Sequence, residues 1–197
     1  MDNIQKTPLS YQITEYDCGQ TTFLNAIRYL FARREISPSM IIKIMQHTLD
    51  KRNARGEEGK GGTSIYAMEF LATWINKTSK EYNMEMQAKV LKKKEANIDN
   101  EEIDNCIQNG GVAIMSVYET EEHYVLCTKI DSENVYLFDP YLLDSNYFDD
   151  DIECEMIDGK PFDFNRKVNK KRLREKSKKD FALVQGENRE ILLLNRV

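Results

Sequence analysis

Glu122-His123-Tyr124-Val125-Leu126-Cys127-Thr128-Lys129-Ile130, then Asn134-Val135-Tyr136-Leu137-Phe138-Asp139-Pro140 after three residues, reads as two adjoining β-strands. Both runs are dense in Val, Ile, Leu, Tyr and Phe, residues that suit a pleated, half-buried surface. Asp131-Ser132-Glu133 between them is turn chemistry. If Ile130 pairs with Asn134 across a three-residue loop, Asp139 lies opposite Val125. His123 and Asp139 then share one sheet face, two residues out of line and within diagonal reach. A loop of two or four residues would put them on opposite faces.

Working outward, Val112–Tyr118 is a further strand of the same composition, and Met84, Met86, Ala88 and Val90 alternate through residues 84–91. Ile152–Ile157, Phe181–Val184 and Glu190–Leu194 are shorter strand candidates. The first half of the chain is different. Residues 1–16 read as an arm. Phe23, Leu24, Ile27, Leu30 and Phe31 then recur at helical spacing from Cys18 onward. Ser37-Pro38 is an N-cap followed by Pro at the first helical position, and Ile41, Ile42, Met45 and Leu49 mark that helix. Four glycines between Gly56 and Gly62 punctuate a mobile connector. Thr63 or Ser64 caps a third helix with Ile65, Met68, Leu71 and Ile75 as its buried stripe, and Trp74, Met68 and Met45 are expected in the core. Asp99-x-x-Glu102 resembles a capping box for a short helix stopping at Gly110-Gly111. Helices lead and strands follow, which predicts an α+β domain with an antiparallel sheet. A single domain is expected over 1–197, with a helical lobe over about 17–80 and a sheet lobe over about 84–197.

Composition narrows the function classes. With 28 Lys and Arg against 33 Asp and Glu the net charge is −5, so the chain as a whole gives no reason to expect a polyanion partner. Hydrophobic residues at 41% argue against wholesale disorder. No apolar run approaches a membrane span and no basic-then-apolar signal opens the chain, so a cytoplasmic protein without a membrane partner is expected. The four cysteines, Cys18, Cys106, Cys127 and Cys154, form no Cys-x-x-Cys pair and read as free thiols. They and the two histidines lack zinc-ligand spacing, so neither metal nor cofactor is expected.

The chemistry-bearing segment is Gln12-Ile-Thr-Glu-Tyr-Asp17-Cys18-Gly19. It sets a cysteine at the mouth of a helix, where unpaired N–H groups and the dipole favour an anion. Gln12 can swing its amide to the same point, forming a two-donor oxyanion hole with the Cys18 N–H. Gly19 would let a substrate backbone come close. Asp17 would cap the helix. His123 is the base such a nucleophile needs, and Asp139 would hold its ring in the productive tautomer. His47, on a helix among polar residues, reads as a surface residue, and Cys106, Cys127 and Cys154 read as core packing.

These elements in this order resemble the C39 group of papain-like (clan CA) cysteine peptidases. The resemblance covers roughly residues 8–141. It rests on Gln–(five residues)–Cys, Asp-Cys-Gly at a helix start, a strand-borne His-Tyr and a later strand ending Asp-Pro; Gly62-Thr63-Ser64 opening a helix between them also fits. It implies a papain-like fold in which a helical lobe faces an antiparallel-sheet lobe. The oxyanion glutamine would be Gln12, the nucleophile Cys18, the base His123 and the orienting carboxylate Asp139. The implied activity is hydrolysis of peptide bonds in a peptide or protein substrate through an acyl-enzyme, with leader-peptide processing as one form of it. These 197 residues include neither a membrane domain nor an ATPase, so transport coupling is not implied. A non-catalytic peptide-binding module and a thiol acyltransferase or amidase are the alternatives on the same scaffold.

Beyond residue 140 the charge segregates. Residues 144–158 carry seven acids and no base, and residues 166–179 carry nine Lys and Arg against Glu175. Two solvated faces that attract each other are expected. The basic stretch lacks aromatic interleaving, so a nucleic-acid partner is not expected.

Overall fold

In the computed structural model, which describes residues 5–197, one seven-stranded sheet forms the middle of the molecule. Its strands are β1 (Met86–Lys92), β2 (Val112–Glu119), β3 (Glu121–Ile130), β4 (Asn134–Phe138), β5 (Cys154–Met156), β6 (Arg166–Asn169) and β7 (Glu190–Arg196). They lie in the order β1-β7-β2-β3-β4-β6-β5, every pair antiparallel. Five helices surround it: α1 (Cys18–Leu30), α2 (Pro38–His47), α3 (Ile65–Thr78), α4 (Glu101–Gln108) and α5 (Lys170–Arg174). Residues 1–4 of the expected arm lie outside the described residues.

The sheet is buried on both faces. Ile114, Tyr124, Leu126, Phe138, Leu192 and Leu194 pack on the side of α1, α2 and α3, against Phe23, Ile27, Met68 and Leu71. Their neighbours Ala113, Met115, Val125, Cys127, Leu137 and Leu193 pack on the opposite side with Ile103, Cys106 and Phe181. Period-two alternation thus feeds two cores rather than one core and a solvated face. Residues 181–184 lie along β2, joined by a Val117–Leu183 bridge and by backbone bonds of Phe181, Ala182 and Val184 to Tyr118 and Ser116, but the pairing is too short to make an eighth strand.

The hairpin loop differs from expectation. Ile130 pairs with Val135, leaving four residues in the loop, a length that alone would separate His123 and Asp139. A bulge between Cys127 and Lys129 supplies the compensating residue, Thr128. Beyond it Leu126 faces Phe138, which continues to Val125 opposite Asp139. The two errors of phase cancel.

Local corrections have local causes. Ile42 and Met45 are exposed because α2 buries Met40 and Ile44 instead, and Trp74 is half-buried at the core's edge. Ser64 caps α3 by accepting from the Ala67 N–H, while Asn100 rather than Asp99 caps α4. The glycine-rich connector is a small hairpin, with an Arg52–Glu58 bridge and backbone bonds joining Lys51 to Gly61 and Gly62. The acidic and basic blocks pair in part: Arg172 bonds Asp151 at 2.7 Å and Glu153 at 3.1 Å, and Lys167 bonds Glu155 at 3.2 Å. Arg174 reaches Asp99 instead, and Arg166 and Arg172 are buried rather than solvated.

Candidate active site

Cys18 is the first residue of α1, among the N–H groups that have no intrahelical acceptor. Asp17 does not cap those groups with its side chain. Its carboxylate turns back and accepts from the Ile13 N–H at 3.1 Å, the Thr14 N–H at 2.7 Å and the Thr14 hydroxyl at 2.6 Å. Burial opposes its charge, but the Thr14 and Ile13 bonds prevail and hold the carboxyl below its ordinary range. Asp17 therefore folds the loop that carries Gln12. The Gln12 N–H donates to the Pro140 carbonyl at 2.9 Å, tying that loop to the end of β4. The Gln12 side chain donates to Thr14 O at 2.8 Å, and its own Oε1 is buried without a partner.

His123 lies near the start of β3 with its side chain 8% exposed. Its Nε2 is 2.9 Å from Asp139 Oδ1, and Cys18 lies close enough to influence its ring. Nε2 facing carboxylate leaves Nδ1 for sulfur. Burial lowers the ring's affinity for a proton, but the Asp139 bond and the nearby Cys18 override it and raise the pKa well above the ordinary histidine value. Asp139 is fully buried and held from several sides. Its oxygen accepts from the Tyr141 N–H at 2.9 Å, and Asn165 clasps its backbone N–H and carbonyl at 2.8 Å each. Arg166 Nη2 stands 3.2 Å from its other oxygen.

Two cavities meet at Cys18. One of about 380 Å³ is lined by Gln12, Tyr16, Glu119, His123, Tyr141 and others; one of about 370 Å³ by Ser64, Tyr66, Tyr124, Asn188 and others. Gly19 lines neither. A Cβ there would stand 2.7 Å from Thr63 Cβ and 3.1 Å from Tyr124, so the space expected for substrate is filled by protein. Gly19 seats the helix mouth.

No protein-family model matches the chain, and no curated protein sequence does. A solved structure does: a Bacillus anthracis chain provisionally assigned as a C39-like peptidase, at TM-score 0.50 and 18% identity, covering 98% of this chain and 96% of that one. The fold is C39-like. At that identity the likeness carries the architecture and leaves the chemistry to the residues. No helix among the described residues is long and apolar enough to cross a membrane.

Within the C39-like fold the structure brings Gln12, Cys18, His123 and Asp139 to one place and keeps the other thiols out of it. Cys106 is pushed up to about 11, and Cys127 and Cys154 to about 12, all by burial. His47 stacks on Phe70 at 4.3 Å, away from the cleft. Three residues at the site escaped the sequence reading: Glu119, Asn165 and Arg166. Glu119 Oε2 is 3.2 Å from His123 Nε2, and the two carboxylates and the imidazole offer atoms within 4.8 Å of one another. A cation could touch all three, but Arg166 already supplies positive charge to Asp139, so the cluster reads as a proton-sharing group. An acid closing the apolar run Val112–Tyr118, one tight turn before His123, was the available signal.

Proposed function

We propose that the chain is a cysteine peptidase of the papain-like type, with Cys18 as nucleophile, His123 as general base and acid, and Asp139 orienting the ring. The observation that carries this reading is a single imidazole that shares a cavity with the Cys18 thiol and meets the Asp139 carboxylate at 2.9 Å. The two cavities that meet at Cys18 offer room for an extended peptide, and favour peptide over a small amide. The helical lobe would contribute the thiol and the sheet lobe the base.

The chemistry follows from the geometry. Sγ attacks the scissile carbonyl carbon while the proton rests on His123 Nδ1. The developing oxyanion meets the Cys18 N–H and the second Nε2 proton of Gln12, whose first is given to Thr14 O. The imidazolium protonates the leaving amine, the C–N bond breaks, and an acyl-enzyme remains on Cys18. Water, deprotonated by His123, then cleaves the thioester and returns the thiol.

The test is turnover of a peptide library together with residue-resolved thiol alkylation. Cys18→Ala is expected to abolish cleavage, and His123→Ala to leave a Cys18 that alkylates slowly at neutral pH. Full activity in Cys18→Ala overturns the proposal. A Cys18 that reacts no faster than Cys106 or Cys127 marks a binding module instead.

A further inference from the structure

We propose that Glu119 is a positioning residue: a second carboxylate that, with Asp139, holds the His123 ring as an imidazolium. The inference concerns the charge on that ring, and touches the peptidase reading only in its consequence for turnover.

The argument begins with charge. An imidazolium 8% exposed needs a counter-charge, because burial removes the water that would otherwise solvate it. Asp139 is the direct partner, at 2.9 Å, and Cys18 from α1 also favours the charged ring. Yet Arg166, itself 2% exposed, sits 3.2 Å from the other Asp139 oxygen, so the pair presents little net charge to the ring. Glu119 restores it. Its side chain is 6% exposed, its Oε2 lies 3.2 Å from the same Nε2, and its Oε1 is buried with no partner. A buried carboxylate with an idle oxygen is costly unless it serves a neighbour.

The hairpin explains how it gets there. Val117 pairs with His123 and Glu119 with Glu121, with Thr120 at φ 55° closing the turn. Glu119 is thus the last residue of β2, facing the ring two residues past its partner. The groups that face it are His123 from β3, Asp139 and Tyr141 from the end of β4, Tyr147 beyond them, Arg166 from β6 and Asp180 from the segment after α5. Burial and the Asp139 charge raise the Glu119 carboxyl to about 7, while His123 and Arg166 pull the other way. Glu119 therefore changes charge near neutrality.

The chain has only two histidines, so ring NMR reads His123 directly, with His47 as internal reference. Glu119→Gln keeps the shape and removes the charge. The His123 midpoint is expected to fall by ~1–3 pH units, the range for losing an opposite charge at contact distance. Glu121→Gln, on the exposed side of the same turn, is expected to move it by less than ~0.5 unit because water and salt screen it. Glu119→Asp is expected to retain most of the elevation. In the unaltered chain the His123 resonances should show a second inflection near pH 7 from Glu119 itself. The proposal is overturned by equal shifts in the two Gln variants, by Glu119→Asp behaving as Glu119→Gln, or by a His123 curve with no second inflection. That last measurement decides the matter even if Glu119→Gln does not fold. If the chain cleaves peptides, the alkaline limb of kcat/KM moves down with the ring; if it cleaves none, the ring titration still stands as the test.

Discussion

Each site residue is held by bonds that reach its own backbone or its neighbour's. Asp139 shows this most fully: Asn165 takes its N–H and carbonyl, Tyr141 N–H and His123 take one oxygen, and Arg166 faces the other. A carboxylate fixed in that way can orient an imidazole without moving to do so. Gln12 is held more lightly, by one side-chain bond to Thr14 and a main-chain bond to Pro140. Its contribution should therefore be chemical rather than structural. Gln12→Ala is expected to lower kcat by ~10²–10³, the usual cost of one oxyanion donor, with little change in KM. Steady-state kinetics on a cleaved peptide, beside a thermal melt, separate that outcome from unfolding. A KM effect of the same size as the kcat effect would reassign Gln12 to substrate binding.

At the scale of elements, α1 is the part that must be placed with care. It carries the thiol at its first residue and buries Phe23, Ala26 and Ile27 against the sheet. Its mouth is pressed against Thr63 and Tyr124 at Gly19, and the Thr22 hydroxyl donates to the Tyr124 carbonyl at 2.9 Å. Alanine is the better helix former by about 0.8–1 kcal/mol, so on propensity alone Gly19→Ala would stabilise. The close contacts predict the opposite sign. Overpacking is expected to cost ~1–3 kcal/mol, read as a lower urea midpoint at unchanged slope. A midpoint that rises would show that the helix mouth has room to yield. The β3–β4 hairpin makes the complementary point, because its four-residue loop and its Thr128 bulge set the face of His123 together.

For the whole molecule, stability against pH should lean to the acid side. Glu190 is 2% exposed, donates nothing, and accepts from the Tyr124 hydroxyl at 2.6 Å. Burial raises its carboxyl from 4.5 to about 7. The folded state therefore holds that proton more tightly than the unfolded chain, and the associated stability is full below about pH 4.5 and gone once pH has risen through about 7. His123, also raised, acts in the same direction at higher pH. Asp17, Asp99 and Asp151 act oppositely: their pKa values are lowered, so they stabilise above the ordinary value of 3.8 and lose that contribution in acid. Stability is therefore expected to be greatest in mildly acidic solution, where both trends contribute. Replacing Glu190 with Gln should flatten the alkaline fall by ~2–3 kcal/mol between pH 4.5 and 7.5, measured by urea unfolding across that range. Parallel curves for the two proteins would place the titration elsewhere.

Much of this arrangement was legible in the residues. Helical spacing from Cys18 to Phe31 and the Val-, Ile- and Tyr-rich runs after 112 determine helices before an antiparallel sheet, because side-chain period reports backbone geometry directly. Gln12, Cys18, His123 and Asp139 could be named as candidates from local context. What only the tertiary structure decided is everything that depends on which strands adjoin. Arg166 lies within a run that reads as solvated charge, yet β6 pairs with β4 and carries it beneath Asp139. Glu119 faces His123 because of a one-residue turn, Gly19 is constrained by Thr63 from another element, and the loop length is corrected by a bulge that composition does not mark. Local pattern records what each segment prefers. The charges that surround a buried imidazole come from segments far apart in sequence, and only the closed sheet brings them to one point.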